Sequence, residues 1–276
     1  MTKQTKPRKK YLLFTALLAA VTTVYCNYSL EAETWTVQSR KLPAAFDGFR
    51  IALLTDLHGA EFGPENRQLL ETVRQCRPDL IAISGDLADE DTSMEILPPL
   101  LQSLKDIAPV YFVTGNHEWV RADTEAVLAQ IAACGVTVLR NGYVTMERNG
   151  QTLVLAGTED PNGYADMETP AQLMARIRRE QGQEAYVIML YHRNDALTMW
   201  SELGPELLLC GHGHGGVIRL PGVGGLLGVD RRFFPKNCEG LYRERDTTMA
   251  VSRGLGGLRL WNPPHLPVIE LRCAGK

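Results

Sequence analysis

Asp56, Asp86, Asn116, His192 and His212 share one placement. Each follows a short apolar run by two or three residues. The runs are Ile51 to Leu54, Leu80 to Ile83, Val110 to Val113, Tyr186 to Leu190 and Leu207 to Cys210, and the segments around the polar residues read TDLHG, SGDLAD, TGNHE, LYH and CGHGHGG. Five of the six histidines, His58, His117, His192, His212 and His214, lie in these segments, whereas scattered surface histidines would not track strand ends. Neutral imidazoles and carboxylates are good ligands for Zn²⁺, Mn²⁺ or Fe, and the lack of cysteine in the set disfavours a structural thiolate site. Glycines beside the candidate ligands, such as Gly85, Gly115 and Gly211, allow sharp turns and keep bulk away from an ion.

The elements that must position these residues follow from the same runs. Each run has the length of a buried strand. Between the early ones lie amphipathic stretches in which Leu69, Leu70, Val73 and Cys76 share one helical face, as do Val127, Leu128, Ile131 and Cys134. Gly135 suits a helix C-terminus, and Thr169 followed by Pro170 reads as an N-cap and first helical residue. Strand and helix alternate, so the expected fold is α/β with a largely buried layered sheet and helices on its outer faces. In such folds ligands bind beyond the carboxyl ends of the strands, and the five post-strand residues are aimed at that edge.

The ordered series Asp-x-His, Gly-Asp, Gly-Asn-His-Glu, a lone His and Gly-His-x-His, running from Asp56 to His214, resembles the motif series of the calcineurin-like metallophosphoesterase family. Likeness through FPKNCEGLY and AVSRGLGG resembles its membrane-anchored bacterial branch. The resemblance implies that Asp56, His58 and His214 bind one divalent metal ion, that Asn116, His192 and His212 bind a second, and that Asp86 bridges them. A shared carboxylate reduces repulsion between the cations and fixes their separation. The implied nucleophile is a metal-bridging hydroxide, with two ions about 3.5 to 4 Å apart clamping the attacking and leaving oxygens. His117 is implied as a contact to the phosphoryl or leaving-group oxygen, while Asp89 and Glu118 are candidates for orienting imidazoles. Gly213 stands where the family usually has Thr or Ser, and Tyr191 where it has Ser before the lone His. Neither change removes a ligand.

With 276 residues and 45% hydrophobic composition, the chain can bury one substantial core. No linker, repeat or low-complexity stretch divides it, so residues 31–276 are expected to form one catalytic domain behind an appendage of residues 1–30. Lys3, Lys6, Arg8, Lys9 and Lys10 precede an apolar run from Tyr11 to Leu30. The run just reaches the length that spans a bilayer, about 20 residues. No small-residue cleavage site follows, which favours an uncleaved signal anchor over a cleaved signal peptide, and the basic flank places the body outside the cytoplasm, a single-pass protein of the cell membrane. Setting those five basic residues aside leaves 24 basic against 32 acidic side chains, a balance that argues against nucleic-acid binding. Four of the cysteines, Cys26, Cys76, Cys134 and Cys210, read as buried hydrophobes, with Cys238 and Cys273 the plausible disulfide pair.

The expected activity is hydrolysis of a phosphomonoester or phosphodiester in a phosphorylated small molecule or a lipid or cell-wall precursor. The rivals are a pyrophosphohydrolase acting on a sugar-nucleotide lipid and a noncatalytic membrane-tethered binding module. Gly-x-Ser-x-Gly and Gly-x-x-x-x-Gly-Lys signatures are absent. Arg193, Arg219, Arg231 and Arg232 are possible phosphate contacts, and His265, outside the series, is expected to be structural.

Overall fold

A computed structural model describes residues 7–164, 166–220 and 222–275. After the N-terminal helix α1 (Pro7–Tyr28), the first half of the chain runs β1 (Glu31–Ser39), β2 (Arg50–Leu54), α2 (Arg67–Cys76), β3 (Leu80–Ser84), α3 (Leu97–Lys105), β4 (Val110–Val113), α4 (Asn116–Val120), α5 (Thr124–Ala133) and β5 (Thr137–Val138). The second half runs β6 (Gly142–Arg148), β7 (Gln151–Gly157), α6 (Pro170–Gln181), β8 (Val187–Leu190), α7 (Leu197–Leu203), β9 (Leu207–Cys210), β10 (Ile218–Leu220), β11 (Gly224–Leu227), β12 (Gly240–Glu244), β13 (Thr247–Val251) and β14 (His265–Cys273).

Two mixed sheets of six strands, ordered β1-β14-β2-β3-β4-β5 and β12-β13-β9-β8-β7-β6, stack face to face. Because β2, β3 and β4 are buried on both faces, they read as continuous apolar runs rather than alternating ones. Ile51, Leu53 and Leu80 of one sheet meet Leu155, Ile188 and Leu209 of the other in the central layer. The outer face of the first sheet packs on α2, α3 and α5 through Leu69, Val73, Leu101 and Ile131, and that of the second packs on α6 and α7 through Leu173, Ile177 and Trp200. The result is a helix, sheet, sheet, helix sandwich, the layered α/β arrangement expected. The expected start of α6 is also seen, with Thr169 Oγ1 accepting the Gln172 N–H at 3.3 Å.

Within each sheet the strands that precede the motifs are parallel, β2 with β3 with β4 and β8 with β9. Their carboxyl ends meet at one edge, where Ser84 Oγ donates to Leu209 O at 3.0 Å and ties the two sheets together.

Two expectations need correction. Helix α1 forms over 22 residues with Leu12, Leu13, Phe14 and Leu17 exposed, but among the described residues no helix is long and apolar enough to cross a membrane. Thr15, Thr22 and Thr23, which satisfy their hydroxyls on carbonyls of the preceding turn, and the half-polar Tyr11 and Tyr25 dilute the apolar run. Lys3 and Lys6 lie outside the described residues. Nor are Cys238 and Cys273 paired. All six cysteines are free thiols, Cys238 being buried beside Gly225 while Cys273 ends β14 with its sulfur 3.6 Å from Leu42 O.

Candidate metal centre

The loop after each of β2, β3, β4, β8 and β9 brings its candidate ligand to the common edge, and the loops are laced to one another by backbone hydrogen bonds. Asp56 N–H donates to Gly85 O at 3.1 Å, and His58 N–H donates to Asp86 O at 3.0 Å. The Asp56 carboxylate accepts the His212 N–H at 3.0 and 3.1 Å, locking a loop of the first sheet to one of the second. Five of the seven candidate ligands, Asp56, His58, Asp86, His212 and His214, have φ between 48° and 64°. Non-glycine residues there are strained by about 1–3 kcal/mol each and persist only where surrounding contacts over-determine them. The tight packing also explains the glycines. A Cβ on Gly85 would lie 2.6 Å from both Gly115 N and His192 Nδ1, and one on Gly213 would lie 2.6 Å from Asn194 Nδ2 and 3.1 Å from Cys238 Cα, so the usual Thr or Ser would require Asn194 to shift. Tyr191 is accounted for by the core, where its ring packs 5.4 Å from that of Trp200.

All seven candidate ligands come together. In one cluster His58 Nε2 faces His214 Nε2 at 3.3 Å, with Asp56 Oδ1 3.4 Å from the latter. In another, His192 Nε2 lies 3.1 Å from Asp86 Oδ2, 3.2 Å from Asn116 Oδ1 and 3.2 Å from His212 Nδ1. His192 Nδ1 is 2.8 Å from Ser84 O, and donation to that carbonyl places its proton there and leaves the Nε2 lone pair for the cluster. Acceptors thus converge with too few hydrogens to share among them, which is the environment a cation satisfies. The groups Asp56, His58 and His214, and Asp86, His192 and His212, each place their donor atoms within 4.8 Å of one another, as do His58, Asp86 and His117. The donor set is compatible with divalent metal ions.

Electrostatics point the same way. Burial alone would raise Asp56 and Asp86, but the facing histidines outweigh it and hold both below the usual carboxylate range. Burial opposes a charge on His192, yet Asp86 outweighs it and raises its pKa to about 10, so a proton on Nε2 occupies the place that a cation beside Asp86 would take, and binding of the cation would release it. Burial depresses His214 to about 4 despite Asp56, keeping that imidazole neutral as a ligand must be. His117 is half-buried at the mouth. Its N–H donates to Asp86 Oδ1 at 2.9 Å and its Nδ1 lies 3.1 Å from Glu90 Oε2. Burial lowers its pKa, and Asp86 and Glu90 more than restore it, giving a net rise.

Glu118 is not an imidazole orienter. It is fully buried, and its two oxygens accept the N–H groups of Asp86, Leu87, Ala88 and Gly115 at 2.7 to 3.1 Å, clamping the loop after β3 to the loop after β4. Burial and then the Asp86 charge push its pKa up to about 7, but four N–H donors address acceptor lone pairs, and the carboxylate is the form this geometry fits. Asp89 Oδ2 stands 3.9 Å from His58 Nδ1, beyond hydrogen-bond distance, while its other oxygen accepts from Thr92 Oγ1. Glu90 and Arg259 escaped the sequence reading. The guanidinium of Arg259 is buried and bonds the carbonyls of Arg253, Gly254, Gly256 and Asn262, holding the loop that closes over Asp56 and His214. Burial lowers its pKa to about 10. No spacing rule marks such a residue, since its partners are backbone atoms. Arg193 is committed to Asp160 by two bonds of 2.8 Å, and Arg219 pairs with Glu239, so neither stands free for phosphate. His265 is buried against the Trp35 ring and belongs to none of the ligand clusters.

A profile of calcineurin-like phosphoesterases matches residues 49–233. The chain belongs to that family. It is 30% identical to the metallophosphoesterase YkuE of Bacillus subtilis over 96% of this chain and 97% of that one. It is 28% identical to the phosphodiesterase YaeI of Escherichia coli over 81% of this chain and 82% of that one. Among solved structures, TT1561 of Thermus thermophilus shares the fold with a TM-score of 0.50 at 13% identity, covering 74% of this chain and 88% of that one. Family membership and the ligand clusters identify a metal-dependent phosphoester hydrolase.

Proposed function

We propose that this chain hydrolyses phosphate esters at a dinuclear centre, with Asp56, His58 and His214 holding one divalent ion, Asn116, His192 and His212 the other, and Asp86 between them. The observation that carries this reading is the position of Asp86. Its Oδ2 lies 3.1 Å from His192 Nε2 and 3.9 Å from His58 Nε2, within reach of both histidine sets. Such ions supply Lewis acidity and an activated water. The chain's own residues do the rest. Asp86 Oδ1 and Glu90 fix His117 from its backbone and its ring, and both carboxylates shift that ring toward its protonated form. As the ester P–O bond breaks, His117 gives its proton to the leaving oxygen and water completes the phosphate. The substrate is a phosphorylated small molecule, and the likeness to YaeI supports a diester. Metal analysis of the active chain, with turnover of mono- and diesters under added Mn²⁺, Zn²⁺ or Fe²⁺, tests this. Two equivalents per chain at full activity are expected, and one equivalent at saturation would defeat the dinuclear reading.

Residues 31–276 are proposed as the catalytic body and residues 1–30 as its tether. The exposed apolar side chains of α1 support attachment to a membrane surface, and we place the body on the extracytoplasmic side of it. Protease added to intact spheroplasts should then digest the body. Complete protection would overturn this placement.

A further inference from the structure

Beside His212 the proposed hydrolysis leaves one wall of the site without a role. A cleft of about 430 Å³ opens there, with His212 and Asn194 on its inner side and Val229, Phe233, Phe234 and Pro235 on its outer side. It is continuous with the metal centre, because His212 and Val229 line both cavities. Phe233 and Phe234 are 70% and 63% exposed, and Leu258, over the metal centre itself, is 82% exposed. Adjacent aromatic rings kept in water at the lip of a polar site mark a binding surface.

The placement of these rings is built into the backbone. Phe234 is held at φ 53°, where a bulky residue is strained, by its N–H donating to Leu226 O at 2.9 Å. The preceding turn is fixed by Arg231 N–H to Gly228 O at 3.0 Å and Arg232 N–H to Asp230 Oδ1 at 3.0 Å. Charge does not choose the occupant, since the lining carries two basic side chains, Arg232 and Lys236, and two acidic ones, Asp195 and Asp230. The apolar wall does.

We propose, resting on the phosphoesterase reading, that this cleft receives an alkyl or aryl group of the ester whose phosphorus sits at the metal centre. The substrate is therefore a phosphate ester with an apolar arm rather than a wholly polar sugar or nucleotide phosphate.

The test uses the full metal-loaded chain on monoalkyl phosphates and methyl alkyl phosphodiesters, methyl through octyl, below micelle-forming concentration. At roughly 0.8 kcal/mol per buried methylene, partial burial should raise kcat/KM about two- to four-fold per added carbon. In the variant Phe233→Ser with Phe234→Asn, the octyl ester should lose at least about ten-fold more than the methyl ester. Unchanged metal content and circular dichroism would show that the variant folds. Failure to hydrolyse any ester would defeat the phosphoesterase reading itself. Hydrolysis without chain-length dependence would overturn the cleft assignment alone. Retention of the chain-length rise in the variant, with lost binding to phosphatidylcholine vesicles, would assign the two rings to a bilayer surface and overturn the proposal.

Discussion

On the floor of the site Asp56, Asp86 and His192 are at most 1% exposed and bonded to loops other than their own, whereas on the wall Phe233, Phe234 and Leu258 stand largely in water. Both regions use left-handed backbone, at Asp56 and Asp86 below and at Phe234 above. They differ in what restrains it. Below, side chains of one loop grip the backbone of another, within a sheet and between the two. Above, one turn restrains itself. Ligand geometry tolerates displacements of a few tenths of an ångström, so the floor is over-determined, while recognition of an apolar group needs only area and shape. Substitutions on the floor should therefore damage every substrate alike, and those on the wall should discriminate among substrates.

The largest effect that sharpens this contrast is expected at His117, which sits between the two regions. His117→Ala should lower kcat by about 10² to 10⁴ while leaving metal content unchanged, as removal of a positioned acid does. The loss should shrink for nitrophenyl esters, whose leaving oxygen needs little protonation. Loss of metal from this variant would move His117 into the ligand set, as its proximity to His58 and Asp86 permits. A smaller effect, on affinity rather than turnover, is expected at Glu118. In Glu118→Gln an amide N–H₂ replaces one acceptor oxygen and leaves at least one buried backbone N–H unpaired, at about 1–3 kcal/mol. Metal affinity should fall about 10- to 100-fold, the range for residues that hold ligands without touching the ion. Metal titration and a thermal melt read the two consequences, and a variant with wild-type affinity would show that the floor is not clamped through this residue.

Much of the floor was legible in sequence because its logic is local. Strand, turn and ligand lie within a few residues of one another, so the run from Ile51 to Leu54 announces Asp56. What connects the loops was not legible. Glu118 reads as one more carboxylate in TGNHE, and only the approach of the loop after β3 reveals that it serves four N–H groups. Arg259 is silent for the same reason. Run length is a poor guide at α1, whose threonines and tyrosines leave it short of the apolarity that crossing requires, and a Cys238 to Cys273 bridge depends on a separation that sequence does not contain.

The place of β14 carries a consequence in time. This strand, the last among the described residues, lies between β1 and β2, pairing with β1 from Glu31 to Ser39 and with β2 from Arg50 to Ala52. The sheet that presents Asp56 cannot close until β14, far downstream of its two neighbours, has been synthesised, so β1 and β2 wait for it. Contacts this distant along the chain slow folding. The ligands of β2, β3 and β4 emerge from the ribosome early, yet the centre they serve is assembled late.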